Sequence, residues 1–273
     1  MFYFPNRRIK FVKNHFMSTA VSSLEPKVIW ANFASLNAVP RASKKEQHVI
    51  NFIKEFGLGL GLETQVDTIG NVLIRKPATP GMSDRKTVVM QAHLDMVHQK
   101  NADVDFDFDK QGIDMYVDGD WVRANGTTLG ADNGLGVAAI MGVLASNDLP
   151  HPAIEALFTI DEETGMTGAM ELKEGWLTGA ILLNLDTEED NELGVGCAGG
   201  IDVTFKSCYT PVLSDPGVAY RISVRGLQGG HSGMDIHKGL GNANKLMNRI
   251  LWAVNDKVHL AELSGGSLRN AIP

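Results

Sequence analysis

The chain has 273 residues, 44% of them hydrophobic, and a formal net charge of -7. That is enough for one large domain or two modest ones with real cores. The acidic balance argues against a nucleic-acid partner, which would call for a basic face. No apolar run reaches the roughly 18 residues of a membrane span.

Residues 1–16 carry Arg7, Arg8, Lys10 and Lys13 but no signal-type apolar core, so they read as an extension. It is either a transit peptide or, more simply, an upstream start with Met17 opening the ordinary chain. Residues 43–56 have the pattern of an amphipathic helix. Ser43 and Glu46 form a capping-box pair, Val49, Ile50, Ile53 and Phe56 share a face, and Gly57 is the expected stop. Residues 64–67 and 71–75 are short strands around the turn signal Ile69-Gly70-Asn71, and residues 77–84 form a loop.

Residues 87–92 are a β-branched strand of buried type running into His93-Leu94-Asp95. Asp103, Asp105, Asp107 and Asp109 alternate with other residues, yet Phe108 stands where a calcium loop needs glycine, so they belong to a solvated edge strand or loop. The polar, glycine-dense stretch at 126–134 leads into residues 135–145, apolar on every side and hence a buried helix that Asp132 or Asn133 can cap. Residues 154–160 are a buried strand ending in Asp161-Glu162-Glu163, and residues 180–185 are a further apolar strand ending at Asp186.

Strands alternating with helices predict an α/β fold with a mostly parallel sheet over residues 17–199. From residue 200 to 273 the texture changes to the start of an α+β domain. Tyr220, Ile222 and Val224 predict a half-exposed strand, Gly229 to Gly233 a loop, and Leu246, Met247, Ile250, Leu251 and Val254 stripe a helix. Cys197 and Cys208 read as small buried hydrophobes in a reducing compartment.

Chemistry gathers at the strand ends. His93 with Asp95, Glu162 with Glu163, and Asp186 each follow a strand, and Asp132 comes from a loop. In a parallel sheet these ends lie along one edge. So many carboxylates around one histidine require cations, and two divalent ions about 3.5–4 Å apart would supply them. The expectation from residues alone is hydrolysis by a two-metal centre. A nucleotide loop at Gly134, Gly136 and Ala139 is disfavoured, because it follows a polar loop and not a strand.

The stretches Gln91-Ala92-His93-Leu94-Asp95-Met96-Val97, Gly126-Thr127-Thr128-Leu129-Gly130-Ala131-Asp132-Asn133-Gly134, Asp161-Glu162-Glu163-Thr164-Gly165-Met166, Asn184-Leu185-Asp186-Thr187-Glu188-Glu189 and Gly229-Gly230-His231-Ser232-Gly233 occur in that order. With them the chain resembles the di-zinc exopeptidase and deacylase family that includes carboxypeptidase G, and within it the aminoacyl-histidine (Xaa-His) dipeptidase subgroup. The resemblance implies that His93 and Asp186 bind one metal, Asp132 bridges two, and Glu163 binds the second. It further implies that Asp95 orients His93, Glu162 is the general base, and His231 stabilises the oxyanion from a lid/dimerisation domain. Arg269 and Asn270 would hold substrate.

The implied protein is a cytoplasmic homodimer using a two-metal-activated water on dipeptides, with zinc the natural ion and manganese or cobalt able to substitute. The same centre would also suit an N-acyl amino-acid deacylase. Family members are longer and carry a last histidine ligand near their C-terminus, so a truncated chain, active only with the remainder or an inactive relic, is a further expectation.

Overall fold

The computed structural model describes residues 19–187, 191–196, 199, 203–211, 217–266 and 271–273. The expected extension at 1–16, Cys197, Arg269 and Asn270 lie outside the described residues. The chain divides into two compact units, Met1–Leu193 and Gly194–Pro273.

In the first unit, helices α1 (Thr19–Ser22), α2 (Lys27–Asn37) and α3 (Gln47–Gly59) precede the hairpin of strands β1 (Glu63–Val66) and β2 (Val72–Lys76). Strand β3 (Val88–His93), a second hairpin of β4 (Met115–Asp118) and β5 (Trp121–Ala124), and helix α4 (Ala131–Ala145) follow. Then come β6 (Ile154–Thr159), the short helices α5 (Glu162–Gly165) and α6 (Thr167–Met170), and β7 (Ile181–Asn184).

The fold is mixed α/β. Its main sheet has the order β1-β2-β6-β3-β7, with β6, β3 and β7 parallel and β2 antiparallel both to β6 and to its hairpin partner β1. Strand alternation sorts the side chains onto two faces. Val72, Ile74, Ala92, Ala156 and Phe158 meet Val49 and Ile53 of α3 and Val137, Ile140, Met141 and Leu144 of α4. Leu73, Val89 and Leu157 form the opposite face, beneath Leu172, Trp176 and Leu177. Helix α4 is apolar all round because its other side, at Ala138 and Leu135, packs with Phe33 and Ala34 of α2.

The parallel register positions the site. His93 lies opposite Thr159 and Gln91 opposite Asn184, so the segments leaving β3, β6 and β7 emerge at one sheet edge. Strand β7 is the outermost strand, and its Ile181, Leu182 and Leu183 are exposed. The segment containing Asp103 to Asp109 is loop, without strand pairing. No helix of the described residues is long and apolar enough to cross a membrane.

Three local expectations are corrected. The helix predicted from Ser43 starts at Gln47, and neither Ser43 nor Glu46 makes a capping side-chain bond to it. Gly57 does not end that helix, which runs to Gly59; the glycine is buried where a Cβ would lie 2.8 Å from Ile74 Cδ1 and would also overlap Thr64 Oγ1. The Asp132 carboxylate, a candidate cap for α4, turns to His93 instead, and the backbone at Asp132 and Asn133 is not helical.

The second unit contains a 3₁₀ turn, η1 (Ile236–Lys238), and helix α7 (Ala243–Ala253). Asn242 caps α7 by accepting from Lys245 N at 3.0 Å. The strand expected at Tyr220, Ile222 and Val224 is irregular instead, with Tyr220 and Ile222 exposed. Alternation suits a strand face, but a strand also needs a partner for its backbone, and no described segment pairs there. Cys208, expected to be buried, is exposed, because its segment contributes nothing to a packed core.

Replacing Gly57 by valine should overpack the α3–β2 contact and lower stability by about 1–3 kcal/mol. Urea unfolding of the two proteins measures this, and an unchanged midpoint would contradict the packing described.

Candidate metal and catalytic site

His93 ends β3 with no solvent exposure, and its two ring nitrogens face different groups. Nδ1 lies 3.1 Å from the Asp95 carbonyl oxygen and 3.3 Å from Asp95 Oδ1. Nε2 points into the cluster, 2.9 Å from Asp132 Oδ1, 3.8 Å from Asp186 Oδ1 and 3.9 Å from Glu162 Oε2. With Nδ1–H donating to Asp95 and Nε2 turned towards the carboxylates, the ring has the arrangement that presents imidazole to a metal.

Asp132 reaches His93 because the backbone at Asp132 and Asn133 is not helical, although both fall within the span of α4. This frees the carboxylate from a capping position and directs it at Nε2.

The three adjacent acids after β6 separate by direction. Asp161 adopts φ +53° and is buried, where Lys44 Nζ donates to it at 2.6 Å and the hydroxyls of Thr164 and Thr167 also donate. The next two amides donate to Asp95, Glu162 N to Oδ1 at 2.9 Å and Glu163 N to Oδ2 at 3.2 Å. Asp95 also accepts from Ser43 Oγ at 2.8 Å. One buried carboxylate therefore aligns both His93 and the Glu162–Glu163 turn.

Two overlapping donor sets result, His93 with Asp132 and Asp186, and His93 with Glu162 and Glu163, each with ligand atoms within 4.8 Å of one another. These sets fit a divalent ion. Imidazole nitrogen and carboxylate oxygen suit zinc, and bonds of about 2.0–2.2 Å imply tetrahedral edges of about 3.3–3.6 Å, between the 2.9 and 3.8 Å spacings seen from His93 Nε2. A third group, Glu46, Asp95 and Asp161, is wholly buried and already occupied by Lys44, Ser43 and backbone amides. It is scaffold.

The electrostatics show the strain of gathering these acids. Burial raises Glu163 to about 7, helped by the charge of Asp132. Burial likewise raises Asp186 to about 6, with Asp132 and Glu162 adding to it, and raises Glu162. Burial alone would lower His93, but its hydrogen bonds to Asp132 and Asp95 and the surrounding acids raise it to about 10. Asp132 is lowered, chiefly by its hydrogen bond to His93.

The residues that sequence reasoning missed lie between α2 and α3. Arg41 is buried and donates to the carbonyls of Leu94, Asp95 and Gly130. Burial lowers it to about 10, opposed by Asp95, Asp132 and Glu163, so it stays charged at neutral pH. Glu46 Oε1 accepts from the amides of Lys44 and Asp161. The Ser43/Glu46 pair does stand out in sequence, but as a helix-cap pattern, and only tertiary contacts distinguish the two uses. His231 lies in the second unit, exposed, with Nδ1 accepting from the amides of Gly233 and Met234 at 3.1 Å each. That assigns the ring proton to Nε2.

Residues 89–244 match the profile of Peptidase family M20/M25/M40. The chain is 46% identical over 256 residues to the cytosol non-specific dipeptidase of Escherichia coli (strain K12), covering 93% of this chain and 53% of that protein. It superposes on the crystal structure of aminoacylhistidine dipeptidase from Vibrio alginolyticus with a TM-score of 0.66 and 45% identity, over 94% of this chain and 53% of that one. A Staphylococcus aureus tripeptidase at 18% identity, TM-score 0.51, shares the fold over 90% of this chain and 63% of its own. The chain thus spans about half the length of the curated relative and the dipeptidase structure it matches.

Glu163, Asp186 and His93 all bind protons more tightly folded than unfolded, so each contributes stability that is lost as pH rises. For the carboxyls the loss spans their ordinary values up to about 7 and about 6, and for His93 it spans 6.5 to about 10. The lowered groups Asp95 and Asp132 act in the opposite sense, but below about pH 4. Chelator-treated protein should therefore have a lower urea midpoint at pH 9 than at pH 6, and a saturating divalent metal should abolish or reverse that difference. A midpoint that rises with pH in chelator would contradict these shifts.

Proposed function

The chain belongs to peptidase family M20/M25/M40, and from that premise we propose that it serves a metal-dependent dipeptidase acting on Xaa-His type dipeptides. The observation that carries this reading is the meeting of His93, Asp132, Asp186, Glu162 and Glu163, from separate chain segments, around the Nε2 side of one buried imidazole. The names of the two similar dipeptidases support the substrate class.

In this reading His93 and Asp186 would hold one ion, Glu163 would hold a second, and Asp132 would be shared between them. Zinc is the natural choice for nitrogen and oxygen ligands, and manganese or cobalt can substitute. Such ions acidify water towards neutrality and polarise a scissile carbonyl when bound.

The protein's own groups supply the proton traffic. Glu162 sits beside the ligand set, and burial raises its carboxyl towards the range where it can both take and release a proton. It accepts the proton of the attacking water and delivers it to the leaving amine. Asp95 holds His93 and the Glu162 amide in fixed relation, so the base does not drift from the ligands. His231 has an Nε2–H available for a developing oxyanion. Arg269 and Asn270 complete the assignment as contacts to the substrate, holding its carboxylate.

The proposal extends to residues 17–199 as the metal-binding domain and 200–273 as the beginning of a lid/dimerisation domain in a cytoplasmic homodimer. The cytosolic relative supports the location, and the net charge of -7 disfavours a nucleic-acid partner.

Glu162→Gln should leave metal content unchanged and lower dipeptide turnover by about 10²–10⁴-fold. Metal analysis and initial rates on Xaa-His dipeptides, with N-acetyl and N-succinyl amino acids in parallel, read out both. Near-normal turnover by the variant removes Glu162 as the base. Preference for the acylated amino acids would reassign the enzyme as a deacylase, and absence of bound metal would mark a relic.

A further inference from the structure

The six-residue stretch from Arg41 to Glu46 touches the segments that carry His93, Asp132 and the Glu162–Glu163 pair. Ser43 and Lys44 hold Asp95 and Asp161, and Glu46 holds the Asp161 amide. Arg41 does something different, since none of its hydrogen bonds goes to a carboxylate.

Its Nη1 donates to Leu94 O at 3.1 Å and Asp95 O at 3.2 Å. Its Nη2 donates to Gly130 O, and to Asn37 Oδ1 at 2.9 Å, while Nε donates to the same Asn37 oxygen at 3.2 Å. Asn37 Nδ2 in turn donates to Leu129 O at 2.9 Å. The planar guanidinium thus joins the turn that carries His93 and Asp95 to the loop that carries Asp132. Both loop glycines nearby leave room for it. A Cβ on Gly134 would stand 2.7 Å from Nη2, and one on Gly130 would overlap the same nitrogen.

We propose that Arg41 is a positioning residue that sets the separation of His93 and Asp132, and with it the affinity and geometry with which the site takes a divalent ion. The proposal rests on the metal-site reading above. A lysine could retain the positive charge beneath the acids, but its single ammonium cannot reproduce a rigid fork spanning two segments. A purely structural arginine would change melting without changing the ion's coordination.

The test is titration of chelator-treated protein with Co(II), followed by its visible absorption, at a temperature where circular dichroism shows each variant folded. Arg41→Lys should bind Co(II) about tenfold or more weakly, with an altered band shape or intensity. Asn37→Ser keeps the arginine and its charge but removes the acceptor that aligns it, so it should shift affinity and spectrum in the same direction and carries the test should Arg41→Lys fail to fold. Wild-type affinity and spectrum in either folded variant would overturn the role of Arg41 while leaving the metal site standing. A parent protein that takes up no Co(II) would instead overturn the metal-site reading, and the proposal with it.

Discussion

Asp95, Asp132, Glu162, Glu163 and Asp186 crowd around one buried imidazole, and their mutual repulsion is the condition to which the rest of the first unit answers. Like charges at such spacing resist ionising together. Burial first and the neighbouring acids second raise Glu163 and Asp186, while hydrogen bonds to Asp132 and Asp95 and the surrounding acids raise His93. A hydrolytic centre makes use of the same concentration of negative charge, because it selects for divalent cations.

Asp95 makes the crowding orderly. It accepts from Ser43 and from the amides of Glu162 and Glu163, and it faces His93 Nδ1. Those donors favour its charged form against the burial that opposes it, so its pKa is lowered. Around it, Arg41 ties backbone carbonyls together and Lys44 balances Asp161. The groups that face the cluster are thereby held by groups that do not, which is how a site keeps its geometry without depending on its own repelling members.

The sheet supplies the coarse placement. Parallel pairing of β6, β3 and β7 brings three strand ends to one edge, and the hydrophobic packing of α3 and α4 on one face keeps that edge in register. Helix α4 is buried on both flanks, and the non-helical backbone at Asp132 and Asn133 at its start directs the Asp132 carboxylate at His93.

Sequence alone determined α3, α4 and the strands of the main sheet, because short apolar, β-branched runs between turn signals mark strands and apolarity on every side marks a sandwiched helix such as α4; it gave no sign of α1, α2 or the β4–β5 hairpin. It also determined the candidate ligands, since His93, Glu162, Glu163 and Asp186 each follow an apolar strand. Tertiary structure decided the rest. Whether Ser43 and Glu46 cap a helix or serve Asp95 and Asp161 depends on partners 52 and 115 residues away. The separate directions of Asp161, Glu162 and Glu163 follow from a positive φ and from Lys44, neither of which has a local signature. Nothing local marks Arg41, whose role comes from the three carbonyls it meets in the folded chain. Tyr220, Ile222 and Val224 show the converse, a correct local pattern without a described strand to pair with it. Periodicity reports which face of an element is buried; only the assembled chain decides which polar groups find each other.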